Sequence, residues 1–568
     1  MPIGCLKKTQ AVHDRVESGK TQSVSRKSCN IQQGMASQSH TCAPSGARPR
    51  QFVDSIDPAT GTLMARIAAT APEALPEVFG QARNAQAEWS KRPLHDRARM
   101  LKKLRDAIYG ARDEIVDLVS RESGKPRVEA IFAELLLALD FSDFLARQAP
   151  RWLRSERVPH HNIAFKAKSA RLEYEPHGVI AIISPWNFPF AIPISQVISA
   201  VVAGNAVVLK PSELTPATGA FVGDLFHVAE FPDDLVQVIQ GASELGAALI
   251  NANPDKVLFT GSVATGARVA EACARKLIPS VLELGGKDAM IVLADADLDV
   301  ASSAAVWGSF TNCGQACLSV ERIYVERPAA EPFTHFCVEK AKKLRVGSAF
   351  AEDADVGPMI RMSQVEKVEE QLRDAVERGA RILTGGRRRG DLGPQFFAPT
   401  VVADVDHSMS LMREETFGPV LAIRPVASVN EAVELANDSD LGLSASVWTR
   451  DSRRGREVAS RLRAGSVMVN DLISYYGICE APHGGHRASG WGRTHSRFGL
   501  LEMVRVKYVD VDRLPRIRKP WWFGYDARVA GAARALVDAM YAPSWEQRLK
   551  ALTARNGARG MIFRRHRM

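Results

Sequence analysis

Cysteines at paired spacing are missing from this chain. Its eight (Cys5, Cys29, Cys42, Cys273, Cys313, Cys317, Cys337 and Cys479) are scattered over 568 residues, which argues against a disulfide framework and fits a reducing compartment such as the cytoplasm. No second Cys or His pair stands at zinc-site spacing from Cys313 and Cys317, so no metal is expected. A secretory signal is missing too, because no apolar segment near the N-terminus precedes a small-residue cleavage site. Residues 1–50 are instead rich in Ser, Lys and Arg, as in a transit peptide, although Asp14 and Glu17 interrupt the acid-poor pattern. Translation from Met35 is the plainer alternative, with everything before it disordered or not made.

The body of the chain also lacks net positive charge. The formal total is +10, but residues 1–50 hold eight basic side chains against two acidic, and 514–568 hold twelve against three. That leaves 54 basic against 59 acidic in 51–513, a net −5. No basic stripe interleaved with aromatics runs through this region, so nucleic acid is not an expected partner. An uncharged stretch at 178–209 is long enough to span a bilayer. Pro185, Asn187, Pro189 and Pro193 interrupt its first half, where a spanning helix would lose hydrogen bonds, and a turn between strand and helix is expected instead.

An apolar share of 46% is more than one core normally holds and points to two or three domains. From Gly178 onward, short runs rich in Val, Ile and Leu (179–184, 206–210, 235–239, 256–260 and 280–284) alternate with helical patterns at 216–229, 243–251 and 264–275. This alternation predicts a doubly wound parallel sheet covered by helices. Further helices are expected at 72–90, 95–122 and 140–154, and a second set of alternating elements from about 289 to 470. Ligands of such sheets sit beyond the carboxyl ends of the strands, and polar clusters follow the first, second, fourth and fifth runs.

These clusters are specific. Pro185-Trp186-Asn187-Phe188-Pro189, Lys210-Pro211-Ser212-Glu213, Phe259-Thr260-Gly261-Ser262, Leu282-Glu283-Leu284-Gly285-Gly286-Lys287, Gly314-Gln315-Ala316-Cys317 and Glu414-Glu415-Thr416-Phe417-Gly418-Pro419 occur in that order. Over roughly 52–512 the chain resembles the aldehyde dehydrogenase superfamily, and 482–493 resembles its C-terminal signature. The resemblance implies an α/β architecture: a Rossmann-like cofactor domain at 51–284 carrying a β oligomerisation arm at 158–175, and an α/β catalytic domain at 285–480. A segment at 481–513 would return to the cofactor domain and supply an oligomerisation strand. Outside these lie a disordered basic tail, 1–50, and a basic aromatic extension, 514–568.

The implied activity is NAD(P)-dependent oxidation of an aldehyde to a carboxylic acid through a cysteine thiohemiacetal and thioester hydrolysis. Cys317 is the expected nucleophile, since a thiolate attacks carbonyls readily. An isolated Cys is more often buried and inert, and the motif reverses that reading; Cys313 is taken as structural. Asn187, with the backbone N–H of Cys317, resembles the family's oxyanion hole, although Asn between two prolines is also an ordinary turn residue. Glu283 ends an apolar strand, where desolvation raises a carboxyl pKa, and is the expected base for hydrolysis; the alternative is a carboxylate paired with Lys287 or another cation. By the same resemblance Lys210 and Glu213 hold the adenosine ribose, Ser212 lies with them, and Glu415 holds the nicotinamide ribose beside Phe417. Pro185, Trp186, Leu284 and Gly285 line the groove. Gly261, Ser262 and Gly266 open a helix whose amides can receive pyrophosphate. A carboxylate at the ribose favours NAD, while relatives with the same Lys and Glu accept NADP. A coenzyme A-acylating enzyme and a catalytically silent scaffold are the alternatives, and the presence of Glu283 with Cys317 and Asn187 argues against both.

Two features depart from the family. His483 stands where many relatives have Phe, and His486 where they often have Lys; His483 lines the substrate channel or is a solvated loop residue. The extension places Trp521, Trp522, Phe523 and Tyr525 after Arg516, Arg518 and Lys519, a composition suited to peripheral contact with an anionic membrane. Packing on the enzyme or on a partner subunit is the alternative. Strand-like edges at 158–175 and 504–511 imply a homodimer or homotetramer.

Overall fold

The computed structural model describes residues 51–351, 353–519 and 521–553. The expectations for the basic tail 1–50, the start at Met35 and the basic end 554–568 lie outside the described residues.

Two sheets organise the molecule. The first runs in the order Gly490–Trp491, Ser280–Glu283, Lys256–Thr260, Val179–Ile183, Ala206–Lys210, Val236–Val238, with all neighbours parallel except the first pair. Its central strands are buried on both faces, which is why they read as unbroken apolar runs. From Val179–Ile183 the chain winds outward to Ala206–Lys210 on one side and later to Lys256–Thr260 on the other. The reversal leaves a crevice at the carboxyl ends of these strands. The second sheet runs Arg381–Thr384, Thr400–Ala403, Val420–Val426, Val320–Glu326, Asp288–Val292, Ser444–Trp448, Ser466–Val469. Each sheet carries its own hydrophobic cluster; the first draws on residues from Leu75 to Leu284 and again from Cys479 to Val504, the second on Ala289 to Leu472. Only four residues, 284–287, separate Ser280–Glu283 in the first sheet from Asp288–Val292 in the second.

Local chemistry adjusts several expected elements. The helix expected at 95–122 is two, Leu94–Gly110 and Arg112–Ser123, parted at Ala111 directly after a glycine, a poor helix residue. The helix expected from 140 starts earlier, at Leu136, after a π-turn at Ile131–Leu135. The uncharged 178–209 stretch folds as strand, loop, the buried helix Ala191–Val202 and strand, with Pro193 in the first helical turn where its missing N–H costs little. No helix among the described residues is long and apolar enough to cross a membrane.

A three-stranded sheet, Val504–Asp512, Lys168–Pro176, Glu156–Val158, projects as a separate layer. The arm and the late strand therefore pair with each other, antiparallel over nine residues from Val504↔Pro176 to Asp512↔Lys168. Beyond it the helices Ala527–Tyr541 and Trp545–Thr553 pack together, and Ala532 and Ala551 are their buried residues. Asp526 and Ser544 cap them, accepting from the amides of Val529 (2.8 Å) and Gln547 (3.3 Å).

Candidate active site

A cleft of about 420 Å³ opens where the two sheets meet, and Asn187, Glu283 and Cys317 all line it. Each is delivered by a different element. Asn187 follows the strand Val179–Ile183, Glu283 ends Ser280–Glu283, and Cys317 precedes Val320–Glu326.

The turn that carries Cys317 holds three successive residues in left-handed conformations, Asn312, Cys313 and Gly314. Such geometry needs support. Glu129 accepts from Thr311 Oγ1 (2.8 Å) and from the Asn312 amide (2.9 Å), while Asn312 Nδ2 donates to the carbonyls of Asn187 (2.9 Å) and Gln315 (3.1 Å). At Gly314 a Cβ would lie 2.1 Å from the Gly418 carbonyl oxygen, so only glycine allows the cysteine turn to meet the Gly418-Pro419 loop. The half-buried Cys317 thiol is pushed well above the ordinary thiol range, first by burial and then by Asp288, Glu415 and Glu283.

Asn187 is fixed from both ends. Its Nδ2 donates to the Gln315 carbonyl (3.1 Å), which leaves a second amide proton, and its own carbonyl accepts from Lys125 Nζ (2.8 Å). Lys125 pairs with Glu134 at 2.5 Å, both side chains fully buried, and Glu134 also accepts from the amides of Phe190 (3.0 Å) and Ala191 (2.7 Å) at the start of the next helix. This ion pair escaped the sequence reading. Its one signal was an acidic residue inside the apolar run 131–139.

Glu283 is 5% exposed, and neither carboxylate oxygen has a hydrogen-bond partner. Burial raises its pKa well above the carboxylate range against the opposing pull of Arg493. Lys287 does not neutralise it; that ammonium pairs with Glu321 at 2.5 Å. The nearest polar group is His483 Nε2, 3.4 Å from Glu283 Oε2. His483 is itself buried, so the solvated-loop reading fails. His486 is exposed in the short strand His486–Arg487.

The remaining expected residues divide between this cleft and a second of about 480 Å³. Leu284, Gly285, Glu415 and Phe417 line the first, Lys210, Ser212 and Glu213 the second, and Pro185, Trp186, Gly261 and Ser262 both. Lys210 Nζ lies 3.6 Å from Glu213 Oε2. Ser212 Oγ accepts from the Leu214 amide (3.2 Å) and serves the turn. Glu415 Oε1 accepts from the Gly286 amide (3.2 Å), and burial lifts its pKa to about 7. Trp186 meets Phe417 edge to face at 5.4 Å between centroids. Gly266 departs from expectation: its amide donates to the Ser262 carbonyl (2.8 Å) and is unavailable to a ligand, and its Cα packs on Leu284. Ser262 is the N-cap of Val263–Arg275, its Oγ accepting from the Thr265 amide (3.4 Å), and the first amides of that turn lack an intrahelical acceptor.

This geometry has known counterparts. The aldehyde dehydrogenase family profile matches residues 45–509, and the chain belongs to that family. It is 38% identical over 489 residues (86% of this chain, 91% of the relative) to 4,4'-diapolycopene aldehyde oxidase of a Methylomonas species. A protein of Mycolicibacterium smegmatis, provisionally named a succinate-semialdehyde dehydrogenase [NADP(+)], is 39% identical over 462 residues (81% and 89%). Among solved structures, an NAD-dependent aldehyde dehydrogenase from Sinorhizobium meliloti superposes with a TM-score of 0.79 at 34% identity (83% of this chain, 93% of that one). The protein is an NAD(P)-dependent enzyme that oxidises aldehydes.

Replacing Lys125 by Met leaves the Glu134 carboxylate buried without its cation. A loss of about 3–5 kcal/mol in stability is expected from urea denaturation. A loss under about 1 kcal/mol would mean that the two backbone amides suffice to hold Glu134.

Proposed function

We propose that Cys317, Asn187 and Glu283 carry out a hydrolytic aldehyde oxidation. The observation that carries this reading is their convergence in one cleft, with the Glu283 carboxylate buried and free of hydrogen-bond partners. Cys317 gives up its thiol proton to solvent as Sγ bonds to the aldehyde carbon, and the second amide proton of Asn187 meets the oxygen as its charge develops. NAD(P), held by the residues of the neighbouring cleft, would supply the hydride acceptor that lets this adduct be oxidised to a thioester. Glu283 then takes a proton from water as the water attacks the thioester, releasing the carboxylic acid and returning the thiol. The low-dielectric site raises the basicity of Glu283 for this step.

The second cleft suits the dinucleotide. Gly246 leaves open space beside the Lys210 side chain, where a Cβ would stand 3.7 Å from Cδ. Lys210 and Glu213 would hold the adenosine ribose, and Glu415 the nicotinamide ribose. The two cations lining the first cleft, Arg361 and Lys367, lie on the cofactor side: Arg361 also lines the second cleft, and Lys367 acts on Glu415. Around Cys317 the lining is instead Ile192, Gln196, Tyr476, His483 and Thr494. None of these side chains carries a fixed charge, so an uncharged aldehyde fits this lining better than a semialdehyde with a carboxylate, in line with the relative named for 4,4'-diapolycopene aldehyde. Cys317→Ala is expected to abolish NADH formation. Glu283→Gln should give one burst of NADH per active site and then slow by at least about a hundredfold. Sustained turnover in that variant, or a requirement for coenzyme A, would rule out the hydrolytic mechanism.

The outer edge of Val504–Asp512 has no strand beside it among the described residues, and Val506, Tyr508 and Val511 are exposed along it. An open apolar edge of this kind invites a second copy. Sedimentation at micromolar concentration should show a dimer or tetramer, and a monomer would contradict the assignment.

The extension supports peripheral membrane contact. Trp522, Phe523, Tyr525 and Trp545 are exposed, the last at 72%, and 514–568 carries twelve basic residues against three acidic. Each Lys or Arg near an anionic surface contributes about 1 kcal/mol, and the aromatic rings add interfacial partitioning. An anionic leaflet meets both features at once. In low-salt flotation on phosphatidylserine vesicles, full-length protein should float and a truncation ending at Asp512 should not. Equal behaviour of the two would leave a neighbouring subunit as the occupant of this face.

A further inference from the structure

A donor near Glu283 would aid its role as base, because a buried carboxylate lacking hydrogen bonds holds its proton more tightly and is ionised in a smaller fraction near neutral pH. His483 is the polar side chain closest to it, with Nε2 3.4 Å from Glu283 Oε2. The opposite ring nitrogen is committed: Nδ1 lies 2.9 Å from the hydroxyl of Tyr475, and both residues are buried. The bond between the Tyr475 hydroxyl and Nδ1 fits either tautomer; with the phenol as donor, the neutral imidazole carries its proton on Nε2, the nitrogen nearer the carboxylate. Aromatic contacts fix the ring plane, since Tyr476 meets His483 edge on at 4.8 Å between centroids.

From this arrangement we propose that His483, its tautomer set by Tyr475, is a positioning residue that orients the Glu283 carboxylate and holds it ionised for thioester hydrolysis. The inference rests on Glu283 acting as the base. The separation of 3.4 Å is longer than a formed hydrogen bond, as is common before substrate tightens a site. Burial keeps the imidazole neutral, pushed down to about 3, so His483 acts as a dipole and hydrogen-bond donor without carrying charge. The other charged and titratable groups around the pair are Arg493, Glu502, Cys317, His495, Tyr476 and Asp288. Arg493 favours the ionised carboxylate and Glu502 opposes it. Arg493 Nη1 donates to the carbonyls of Gly485 (3.2 Å) and Gly492 (2.6 Å), and no hydrogen bond joins its guanidinium to Glu283.

The sign of the effect follows. A donor to the carboxylate favours its ionised form, so removing the donor raises the pKa of Glu283 and moves hydrolysis toward alkaline pH. His483→Phe keeps an aromatic ring and deletes the N–H. Its steady-state kcat should fall about tenfold near neutral pH. The rising limb of kcat against pH should shift up by about one unit, with kcat/KM and the size of the NADH burst unchanged. His483→Gln, which restores an amide donor, should recover most of both. Tyr475→Phe frees the tautomer and should produce a smaller shift in the same direction.

Wild-type pH profiles in both His483→Phe and Tyr475→Phe overturn the inference and leave His483 a packing residue. Equal losses in His483→Phe and His483→Gln overturn it as well, because the donor would then be irrelevant. If His483→Phe fails to fold, as read by its thermal transition and NAD binding, Tyr475→Phe and His483→Gln decide by the same profile. Should Glu283→Gln itself hydrolyse the thioester normally, the base assignment fails first. A blocked Glu283→Gln with an unshifted His483→Phe rejects only the role of His483.

Discussion

The buried ion pair between Lys287 and Glu321 ties together the parts of the chain that form the site. Lys287 ends the four-residue passage between the sheets and also bonds Thr416 Oγ1 at 3.1 Å. Glu321 lies in the strand after Cys317 and accepts from the amides of Thr416 (2.9 Å) and Phe417 (3.1 Å). Arg322, next along, donates to the Lys287 carbonyl through Nε (2.9 Å) and Nη2 (2.7 Å). Three motifs remote in sequence are therefore cross-linked at one point. In a medium of low dielectric, removing either partner would leave an uncompensated charge, so the arrangement is strongly specified. Gly285 belongs to the same constraint: a Cβ there would meet Glu415 Oε1 at 2.5 Å, so the passage can approach that carboxylate only without a side chain.

Around this junction, charge is placed in two contrasting ways. Structural carboxylates are satisfied, Glu134 and Glu321 by a lysine and two amides each. Glu283 is left without partners, and Glu415 has one backbone donor. Groups of the first kind hold loops in place, whereas the second kind retain unused capacity for hydrogen bonding. Burial, with Asp288, Glu415 and Glu283 nearby, likewise raises the Cys317 thiol above its ordinary range.

The extension follows different rules from the body. In the sheets, apolar residues face inward and form two contiguous clusters. In the two terminal helices only Ala532 and Ala551 are buried, while Trp545, Leu549 and Leu552 face outward. Trp521 is the point of contact with the arm, 5.6 Å from Phe165 between ring centroids. A helical pair held by two small residues cannot derive much stability from its own core, which is the physical reason to look for a surface that completes it.

Sequence alone determined the winding of the first sheet, because strands buried on both faces read as uninterrupted apolar runs and the polar clusters after them mark the carboxyl edge. The family, the oxidation of an aldehyde and the use of NAD(P) were also legible there, since six motifs occur in order. Helix boundaries were less legible: the break at Ala111 depends on one glycine, and the helix at Leu136 begins through a π-turn that periodicity does not reveal. Tertiary structure decided the partners. Lys287 could have neutralised Glu283 by proximity in sequence, yet it pairs with Glu321, and the Gly266 amide closes the first turn of its own helix on the Ser262 carbonyl. It also buried His483 beside Glu283, 200 residues away in sequence. Pairing between buried polar groups is set by distances across the folded core, where the low dielectric penalises every unmet charge, and no local pattern of residues encodes those distances.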